Sequence, residues 1–187
     1  MKVEIKATSN LTLNDLFSPC KICIYWEAPE YFGHDEQGRL KLAEEKAIAV
    51  KQDWFEKAMG IFGCCGMILY AEGEAVGYAQ YAPPRLLSNV AEYSQTMSSP
   101  SPDAVLISCL YVQEEYQGRG LGKKLLLAIL ENLRQRGYHA VETYARDDSG
   151  NNCSGPTEFY LRNGFGVVET KKWEQATFSL MRLEIDK

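Results

Sequence analysis

The sequence lacks the features that mark membrane proteins and nucleic-acid-binding proteins. No apolar run in its 187 residues approaches the roughly 20 residues that a membrane helix needs. Basic residues never cluster beyond a pair and the formal net charge is −5, which argues against a nucleic-acid partner. Residues 1–6 alternate as a strand does and do not resemble a signal peptide. We therefore expect a cytoplasmic protein without a membrane partner.

The sequence also lacks a complete set of zinc ligands. Six cysteines without a secretory signal indicate reduced thiols rather than a disulfide framework. Cys20 and Cys23 form a C-x-x-C pair, but no second such pair supplies the other ligands, so no metal is predicted. Burial as small apolar side chains is the main interpretation. The alternatives are thiol redox chemistry and a metal site completed by Cys64, Cys65 and His34.

No internal repeat or linker divides the chain, so its length predicts one domain over residues 1–187. Residues 85–103 form a long polar stretch that is either a mobile flap or partly helical. Apolar periodicity and turn residues predict an α/β protein. The predicted strands are 2–8, a hairpin of 67–70 and 75–81, 105–112, 140–145, 165–169 and 176–185. The predicted helices are 41–59, a central one ending at 136, and 156–163.

A glycine-rich loop follows the predicted strand 105–112 and precedes the central helix. Alternating glycines leave backbone N–H groups bare at a helix N-terminus, where a partial positive charge suits a diphosphate. Two nucleotide motifs fail on spacing. Lys123 stands where a dinucleotide fingerprint needs its third glycine, and Lys124 stands where a P-loop needs Ser or Thr. A left-handed turn that binds no ligand is the alternative interpretation.

The remaining pattern, Gln-x-x-Gly-x-Gly after a strand, resembles the pyrophosphate loop of the GNAT acyltransferases. A second pattern, Phe-Tyr-x-x-x-Gly-Phe at residues 159–165, resembles the last helix and following strand of the same family. The resemblance covers roughly residues 64–170 and implies a mixed twisted sheet of about six to seven strands flanked by helices. It also implies direct acetyl transfer from acetyl-CoA to a primary amine of unknown identity.

The resemblance assigns roles to residues by position. In the family two central strands splay apart, and backbone N–H groups face the pantetheine and the thioester. Here those groups belong to Leu110, Tyr111 and Val112, with the Val112 amide facing the carbonyl oxygen. Tyr160 matches the tyrosine that protonates the leaving sulfur, because a phenol with a pKa of about 10 is protonated at neutral pH; a core aromatic is the alternative. The implied diphosphate loop is Gln117, Gly118, Arg119, Gly120, Leu121, Gly122 and Lys123, of which Lys123 is equally expected to be a solvated helix residue.

The chain departs from the family pattern at two points. Cys153 stands where relatives often have an Asn that binds pantetheine. Either Asn152 takes that role, or Cys153 lies beside the CoA sulfur, where a mixed disulfide becomes possible. Residues 105–112 contain no carboxylate, so the general base is unassigned. A water chain is one option, and the other candidates, each expected to be structural, are Glu27, Glu72 and Glu142.

The acceptor site is expected near the segment after the first strand. Residues 20–27 resemble a little-characterised bacterial group of GNAT proteins with Cys-x-x-Cys-x-x-Trp-Glu. Aromatic residues there suit a planar or amphipathic small-molecule or peptide amine, and they equally suit a core. The candidate acceptor residues are Tyr25, Trp26, Glu27, Tyr78 and Tyr81. A homodimer is possible, and the alternative function is a catalytically idle acyl-CoA-binding domain or a cysteine-based redox or metal sensor.

Overall fold

The structure is a computed structural model that describes residues 1–10, 12–147, 153–173 and 175–185. In this part of the chain seven strands form one sheet in the order β1-β2-β3-β4-β5-β7-β6. The strands are β1 (Val3–Ala7), β2 (Gly66–Ala71), β3 (Glu74–Ala82), β4 (Ala104–Val112), β5 (Ala140–Arg146), β6 (Gly166–Trp173) and β7 (Ala176–Glu184). Of these seven described strands, only β4 and β5 pair in parallel with each other. The predicted mixed α/β sheet is confirmed.

Four α-helices are present among the described residues. They are α1 (Glu44–Phe62), α2 (Val90–Thr96), α3 (Leu121–Gln135) and α4 (Thr157–Leu161). The α3 helix packs on β2, β3 and β4 through a stripe of leucine and isoleucine at helical spacing, which keeps its polar positions toward solvent. None of the described helices is long and apolar enough to cross a membrane.

The hairpin of β2 and β3 forms as its sequence predicts. Glu72 and Gly73 join the strands, and both have positive φ, 51° and 91°. Two consecutive residues with positive φ are typical of the type I′ turn, whose twist matches that of the flanking strands.

Helix boundaries differ from the prediction where tertiary contacts decide them. The first helix begins at Glu44 rather than 41, and it continues past the predicted end at residue 59 as far as Phe62, with Gly63 as its C-cap. Phe62 packs edge-on against Tyr81, with ring centroids 6.3 Å apart, and this contact favours the extra turn. Residues 85–103 are partly helical, because α2 lies within them. The last predicted helix, 156–163, is shorter and ends at Leu161.

The two central strands separate at their carboxyl ends. Pairing of β4 with β5 runs from Ala104↔Ala140 to Ile107↔Thr143 and then stops, although both strands continue. Beyond Ile107, β4 pairs only with β3, on its other side. Ligands of open α/β sheets bind in crevices outside the carboxyl ends of the strands. The gap between β4 and β5 is such a crevice, so a site is expected there.

Candidate active site

A cleft of about 600 Å³ lies at the gap between β4 and β5. Its walls are the end of β4, the glycine loop, the first turn of α3, and α4. The two sequence motifs, forty residues apart in the chain, therefore meet at one cleft. The lining includes Leu110, Tyr111, Val112, Gln117, Gly118, Gly120, Leu121, Gly122, Lys123, Gly155, Phe159 and Asn163.

The glycine loop presents backbone to this cleft. Gly118 and Gly120 have φ of 71° and 74°, a left-handed conformation that favours glycine. A Cβ added at either position would meet nothing within 4 Å. In the described part of the chain no side chain caps α3, whose N-cap is Gly120. Uncapped N–H groups and the helix dipole together form a seat for an anion.

Two side chains of the predicted loop have other roles. The Gln117 amide donates its Nε2 hydrogen to the Val112 carbonyl at 2.8 Å and so fixes the loop to the end of β4. The Arg119 guanidinium turns back along the loop, donates to the Glu115 carbonyl at 3.0 Å and stacks over the Tyr116 ring. Arg119 does not line the cleft, whereas Lys123 does.

The backbone of β4 offers two of the three expected amides to the gap. The Leu110 N–H donates across the gap to the Cys153 carbonyl at 2.9 Å, whereas the Gln113 N–H donates toward β3, to the Val76 carbonyl. Because successive amides of a strand alternate in direction, the Val112 amide points to the gap with Leu110. The Tyr111 amide points to β3, so Tyr111 contributes its side chain to the cleft and not its N–H.

Tyr160 lies beneath the cleft rather than on its wall. Its side chain is fully buried, and its hydroxyl donates to the Ser154 carbonyl at 2.8 Å. Burial raises the pKa of the Tyr160 phenol above its ordinary value, with Cys109 and Cys153 adding to the rise and a hydrogen bond with Thr143 opposing it. The phenol is therefore protonated at neutral pH and lies in the electrostatic neighbourhood of both thiols.

A second cavity of about 680 Å³ opens on the other side of β4. Segments 19–34 and 40–51, strand β3 and Cys153 enclose it, and Tyr111 lines both this cavity and the cleft. Of the predicted acceptor residues, Trp26, Glu27 and Tyr78 line it. We name this space the acceptor cavity.

Tyr25 and Tyr81, also predicted for the acceptor site, lie outside this cavity. The Tyr25 hydroxyl meets that of Tyr93 at 3.1 Å. The Tyr81 hydroxyl lies 3.0 Å from the Cys64 sulfur and donates to the Asn132 side chain of α3. Successive residues of a strand face opposite sides of the sheet, so Tyr81 cannot share a face with Gln80.

A buried polar network forms the floor of the acceptor cavity. The Lys51 ammonium donates to Glu27 at 2.8 Å and to the Gln80 amide oxygen at 3.3 Å, and the Tyr78 hydroxyl donates to the same Gln80 oxygen at 2.9 Å. The Lys51 and Glu27 side chains are only 7% and 2% exposed. Burial lowers the pKa of Lys51, but the Glu27 carboxylate, with smaller contributions from Cys23 and Cys109, opposes this effect, and the net pKa is raised.

Sequence reasoning missed Lys51 and Gln80, although Lys51 carried a signal. It stands on the buried stripe of α1, between Ala47 and Phe55. A lysine in an apolar stripe needs a buried partner.

The other candidate carboxylates have structural partners. Glu142 accepts from Arg182 at 2.9 Å and from the Ser101 N–H at 2.7 Å. Glu72 lies in the β2–β3 turn and accepts from the Lys2 N–H. Of the three candidate bases, Glu27 is the one that lines the acceptor cavity.

The cysteines divide into two groups. Cys20, Cys23, Cys109 and Cys153 line the acceptor cavity, whereas Cys64 and Cys65 do not, so the combination of Cys20 and Cys23 with Cys64 and Cys65 does not form. Among the described residues, no group of three or more His, Cys, Asp or Glu side chains is arranged to hold a metal ion. Asn152, the alternative pantetheine ligand, lies outside the described residues.

Cys109 and Cys153 form a thiol pair that the sequence did not reveal. Both cysteines line the acceptor cavity, and the Leu110 N–H, next to Cys109, donates to the Cys153 carbonyl. The polar influence of the Cys109 thiol lowers the pKa of Cys153 to about 7, although burial opposes the change. The Cys153 thiol, together with burial, raises the pKa of Cys109 well above its ordinary value.

The fold agrees with that of one known protein family. The model of the acetyltransferase (GNAT) family matches residues 21–165, which is well over half of the chain, and the protein belongs to this family.

Relatives and solved structures agree with this assignment. A spermine/spermidine N(1)-acetyltransferase of Bacillus subtilis is 29% identical over 105 residues, which are 54% of this chain and 58% of that protein. An uncharacterized N-acetyltransferase of Staphylococcus epidermidis is 30% identical over 114 residues, 58% of this chain and 70% of the other. The chain thus spans less than two thirds of the Bacillus relative.

Two ligand-bound structures share the fold. The PaiA N-acetyltransferase of Thermoplasma acidophilum in complex with coenzyme A has a TM-score of 0.60 at 17% identity, covering 98% of this chain and 99% of that one. YncA of Salmonella typhimurium with its cofactor acetyl-CoA has a TM-score of 0.61 at 19% identity, covering 99% and 95%.

Proposed function

We propose that this protein is an N-acetyltransferase that passes the acetyl group of acetyl-CoA directly to an amine bound in the acceptor cavity. The observation that carries the proposal is the uncapped N-terminus of α3, whose N-cap Gly120 opens onto the gap between β4 and β5. Family membership adds weight to it, as do the coenzyme complexes of structures with the same fold.

Each part of the coenzyme has a counterpart in the cleft. The diphosphate binds the backbone of residues 118–122, with Lys123 at the rim. The pantetheine follows the end of β4, where the Leu110 and Val112 amides point to the gap. The thioester then lies beside Tyr111, which lines both spaces, and an amine in the acceptor cavity approaches the carbonyl from the opposite side.

Acetyl transfer needs a donor for the oxyanion and a proton for the leaving thiolate. The Val112 amide supplies the donor, or the Leu110 amide once it has released the Cys153 carbonyl to which it donates in this structure. Tyr160 supplies the proton, because burial keeps its phenol protonated. Its hydroxyl must exchange the Ser154 carbonyl for the sulfur when the coenzyme is bound. Cys153 lies at the junction of the coenzyme and the acceptor.

The acceptor cavity favours a small-molecule or peptide amine with an apolar body. Its wall contains Ile22, Tyr31, Phe32, Leu40 and Leu42. The Glu27 carboxylate is already paired with Lys51, and Glu44 is the other carboxylate that lines the cavity. The described residues therefore do not form the row of free carboxylates that a polyamine needs. The cytoplasmic location, a homodimer, the single domain over 1–187 and the kinship with the Cys-x-x-Cys-x-x-Trp-Glu group stay predictions.

The test compares two glycines at the ends of one helix. Gly120 and Gly137 flank α3, both have positive φ, and a Cβ at either meets nothing within 4 Å. Gly120→Val and Gly137→Val therefore strain the backbone alike, but only the first fills the diphosphate seat. We expect calorimetric titration with coenzyme A to show binding by the wild type and by Gly137→Val, and at least a tenfold loss for Gly120→Val.

Undiminished coenzyme affinity in folded Gly120→Val would refute the assigned seat. Transfer is then measured with acetyl-CoA and a panel of amines that ranges from spermidine to arylalkylamines and peptide N-termini. Coenzyme binding with no acetylation of any amine would favour the idle acyl-CoA-binding alternative over the enzyme.

A further inference from the structure

We propose that Cys109 and Cys153 form a redox-active dithiol that reduces small-molecule disulfides, and that the resulting Cys109–Cys153 disulfide holds the gap between β4 and β5 closed. This activity is distinct from acetyl transfer. Only the expected effect of the disulfide on acetyl transfer rests on the proposed function.

The two cysteines stand on opposite sides of the gap. Cys109 lies on β4, two residues beyond the last pair with β5 and opposite Gln80 of β3. Cys153 lies in the connection from β5 to α4. The carbonyl of Cys153 accepts the N–H of Leu110, the residue next to Cys109, at 2.9 Å. This backbone bond fixes the two residues side by side, and both line the acceptor cavity.

The surroundings of the pair distinguish an attacking thiol from a resolving one. The neighbouring Cys109 thiol, the nearby backbone and the positive charges of Arg146 and Lys51 lower the pKa of Cys153 against the effect of burial. These contacts favour its thiolate, the nucleophilic form. Cys109 keeps its proton, because its contacts and burial raise its pKa. An attacking cysteine beside a protonated partner is the arrangement that dithiol–disulfide exchange uses.

The acceptor cavity gives a small disulfide access to Cys153. It measures about 680 Å³ and both thiols line it. Two further thiols on the same wall do not compete at neutral pH. Burial raises the pKa of Cys20 to about 12 and that of Cys23 to about 11, so both stay protonated and unreactive.

The thiol–disulfide exchange proceeds in two steps. The Cys153 thiolate attacks one sulfur of a disulfide RSSR, forms the mixed disulfide Cys153–S–S–R and releases RS⁻. The Cys109 thiol then gives its proton to RS⁻ and attacks the Cys153 sulfur, which forms the Cys109–Cys153 disulfide and releases a second RS⁻. The small disulfide gains two electrons and the dithiol loses them. Two equivalents of an external thiol return the protein to its reduced form.

Oxidation has a structural consequence at the gap. A covalent bond between Cys109 and Cys153 holds the Cys153 carbonyl over the Leu110 N–H, one of the two amides that the proposed function assigns to the thioester and pantetheine. The oxidised protein should therefore transfer acetyl groups more slowly than the reduced protein.

The first experiment uses 2-hydroxyethyl disulfide, whose reaction does not depend on coenzyme binding. The reduced full chain is incubated with it at pH 7.5, and intact mass and peptide mapping follow the products. We expect a Cys109–Cys153 disulfide and two released thiols per chain. Cys109→Ser should stop at the mixed disulfide on Cys153, and Cys64→Ser, which lies outside the cavity, should behave as the wild type. A disulfide mapped to Cys20–Cys23, or an unmodified Cys153, would overturn the proposal.

The pH dependence of the first step supplies a second readout. A thiol whose pKa is lowered to about 7 is half ionised near pH 7 and almost fully ionised about two pH units higher. The rate of mixed-disulfide formation in Cys109→Leu, which removes the polar neighbour, should shift to a higher midpoint than in Cys109→Ser, which keeps a hydroxyl there. Equal midpoints near 9 in both variants would contradict the role of Cys109.

The closing of the gap is tested separately. Wild type carrying the mapped disulfide is compared with the same sample after reduction by dithiothreitol, in coenzyme A titration and in acetyl transfer. We expect at least a tenfold recovery of transfer on reduction. Equal rates would disprove the closed gap, and absence of transfer from both samples would count against the proposed function instead.

Discussion

Tyr160 shows how one residue can match a family position and still occupy an unexpected environment. The motif places it on α4, as predicted, but its ring is packed between Phe159 and Phe165 and its hydroxyl bonds to the Ser154 carbonyl. The proposed acid role requires the hydroxyl to change partner when the coenzyme binds. A purely structural role requires no such change. Turnover measurements on a variant without the hydroxyl distinguish the two roles.

Tyr160→Phe is expected to lower turnover about 10²-fold or more, because it removes the proton donor to the leaving thiolate. Affinity for coenzyme A should stay the same. Tyr144→Phe is the matched control, since Tyr144 is also buried and its hydroxyl donates to a backbone carbonyl, that of Ser98, at 2.9 Å.

Both variants lose one buried hydrogen bond, so each should lose about 1 kcal/mol in the free energy of unfolding. Steady-state kinetics, calorimetry and urea unfolding give the three quantities. If Tyr160→Phe and Tyr144→Phe retain the same turnover, Tyr160 is a core residue and not the acid.

At the scale of secondary-structure elements, α1 docks on the sheet through a charge as well as through apolar contacts. Its buried stripe contains Ala47, Phe55, Ala58 and Phe62, and Lys51 interrupts it. The Lys51 ammonium reaches Glu27 in the segment after β1 and Gln80 in β3. One side chain thus ties three parts of the chain together at the acceptor cavity.

Removing one partner of this ion pair should destabilise the protein more than removing both. Lys51→Met leaves a buried carboxylate without its partner, at an expected cost of about 3–5 kcal/mol, and Glu27→Leu leaves the buried ammonium. The double variant Lys51→Met/Glu27→Leu should unfold with a smaller loss than the sum of the single losses.

Urea unfolding of the four proteins measures the coupling. The exposed pair of Arg162 and Glu158 on α4, 2.7 Å apart, is the control, and its removal should change stability little because water screens it. Strict additivity of the Lys51 and Glu27 losses would show that the buried pair is not coupled.

At the scale of the whole molecule, the cleft that is proposed to bind the coenzyme brings together elements from distant parts of the chain. The cleft contacts β4, the loop before α3, α3 itself and α4. A ligand that binds only the folded chain must therefore stabilise the fold as a unit.

Coenzyme A at about 100 times its dissociation constant should add about 2.7 kcal/mol to the free energy of unfolding. For a chain of this length, that corresponds to a rise of roughly 5–10 °C in Tm. Thermal unfolding with and without the coenzyme measures the rise. Gly120→Val should show no rise while Gly137→Val shows the full one; a rise of equal size in both would mean that the coenzyme binds elsewhere.

Local patterns by themselves determined the strands, the β2–β3 hairpin, the course of α3 and the glycine loop, because each depends on residues close together in the chain. The splay of β4 and β5 was expected from the family resemblance and not from local patterns. The exact end of α1 did not follow from them either: the pattern ends this helix at residue 59, whereas it continues to Phe62, whose ring contacts Tyr81.

Tertiary structure alone decided the composition of the acceptor cavity. It joined Lys51 to Glu27 and Cys109 to Cys153, pairs separated by 24 and by more than forty residues in the chain, and it placed Tyr25 and Tyr81 elsewhere. Partners so far apart leave no periodic trace in a sequence. Whether a buried lysine or thiol is neutral or charged depends on which distant group folding brings beside it.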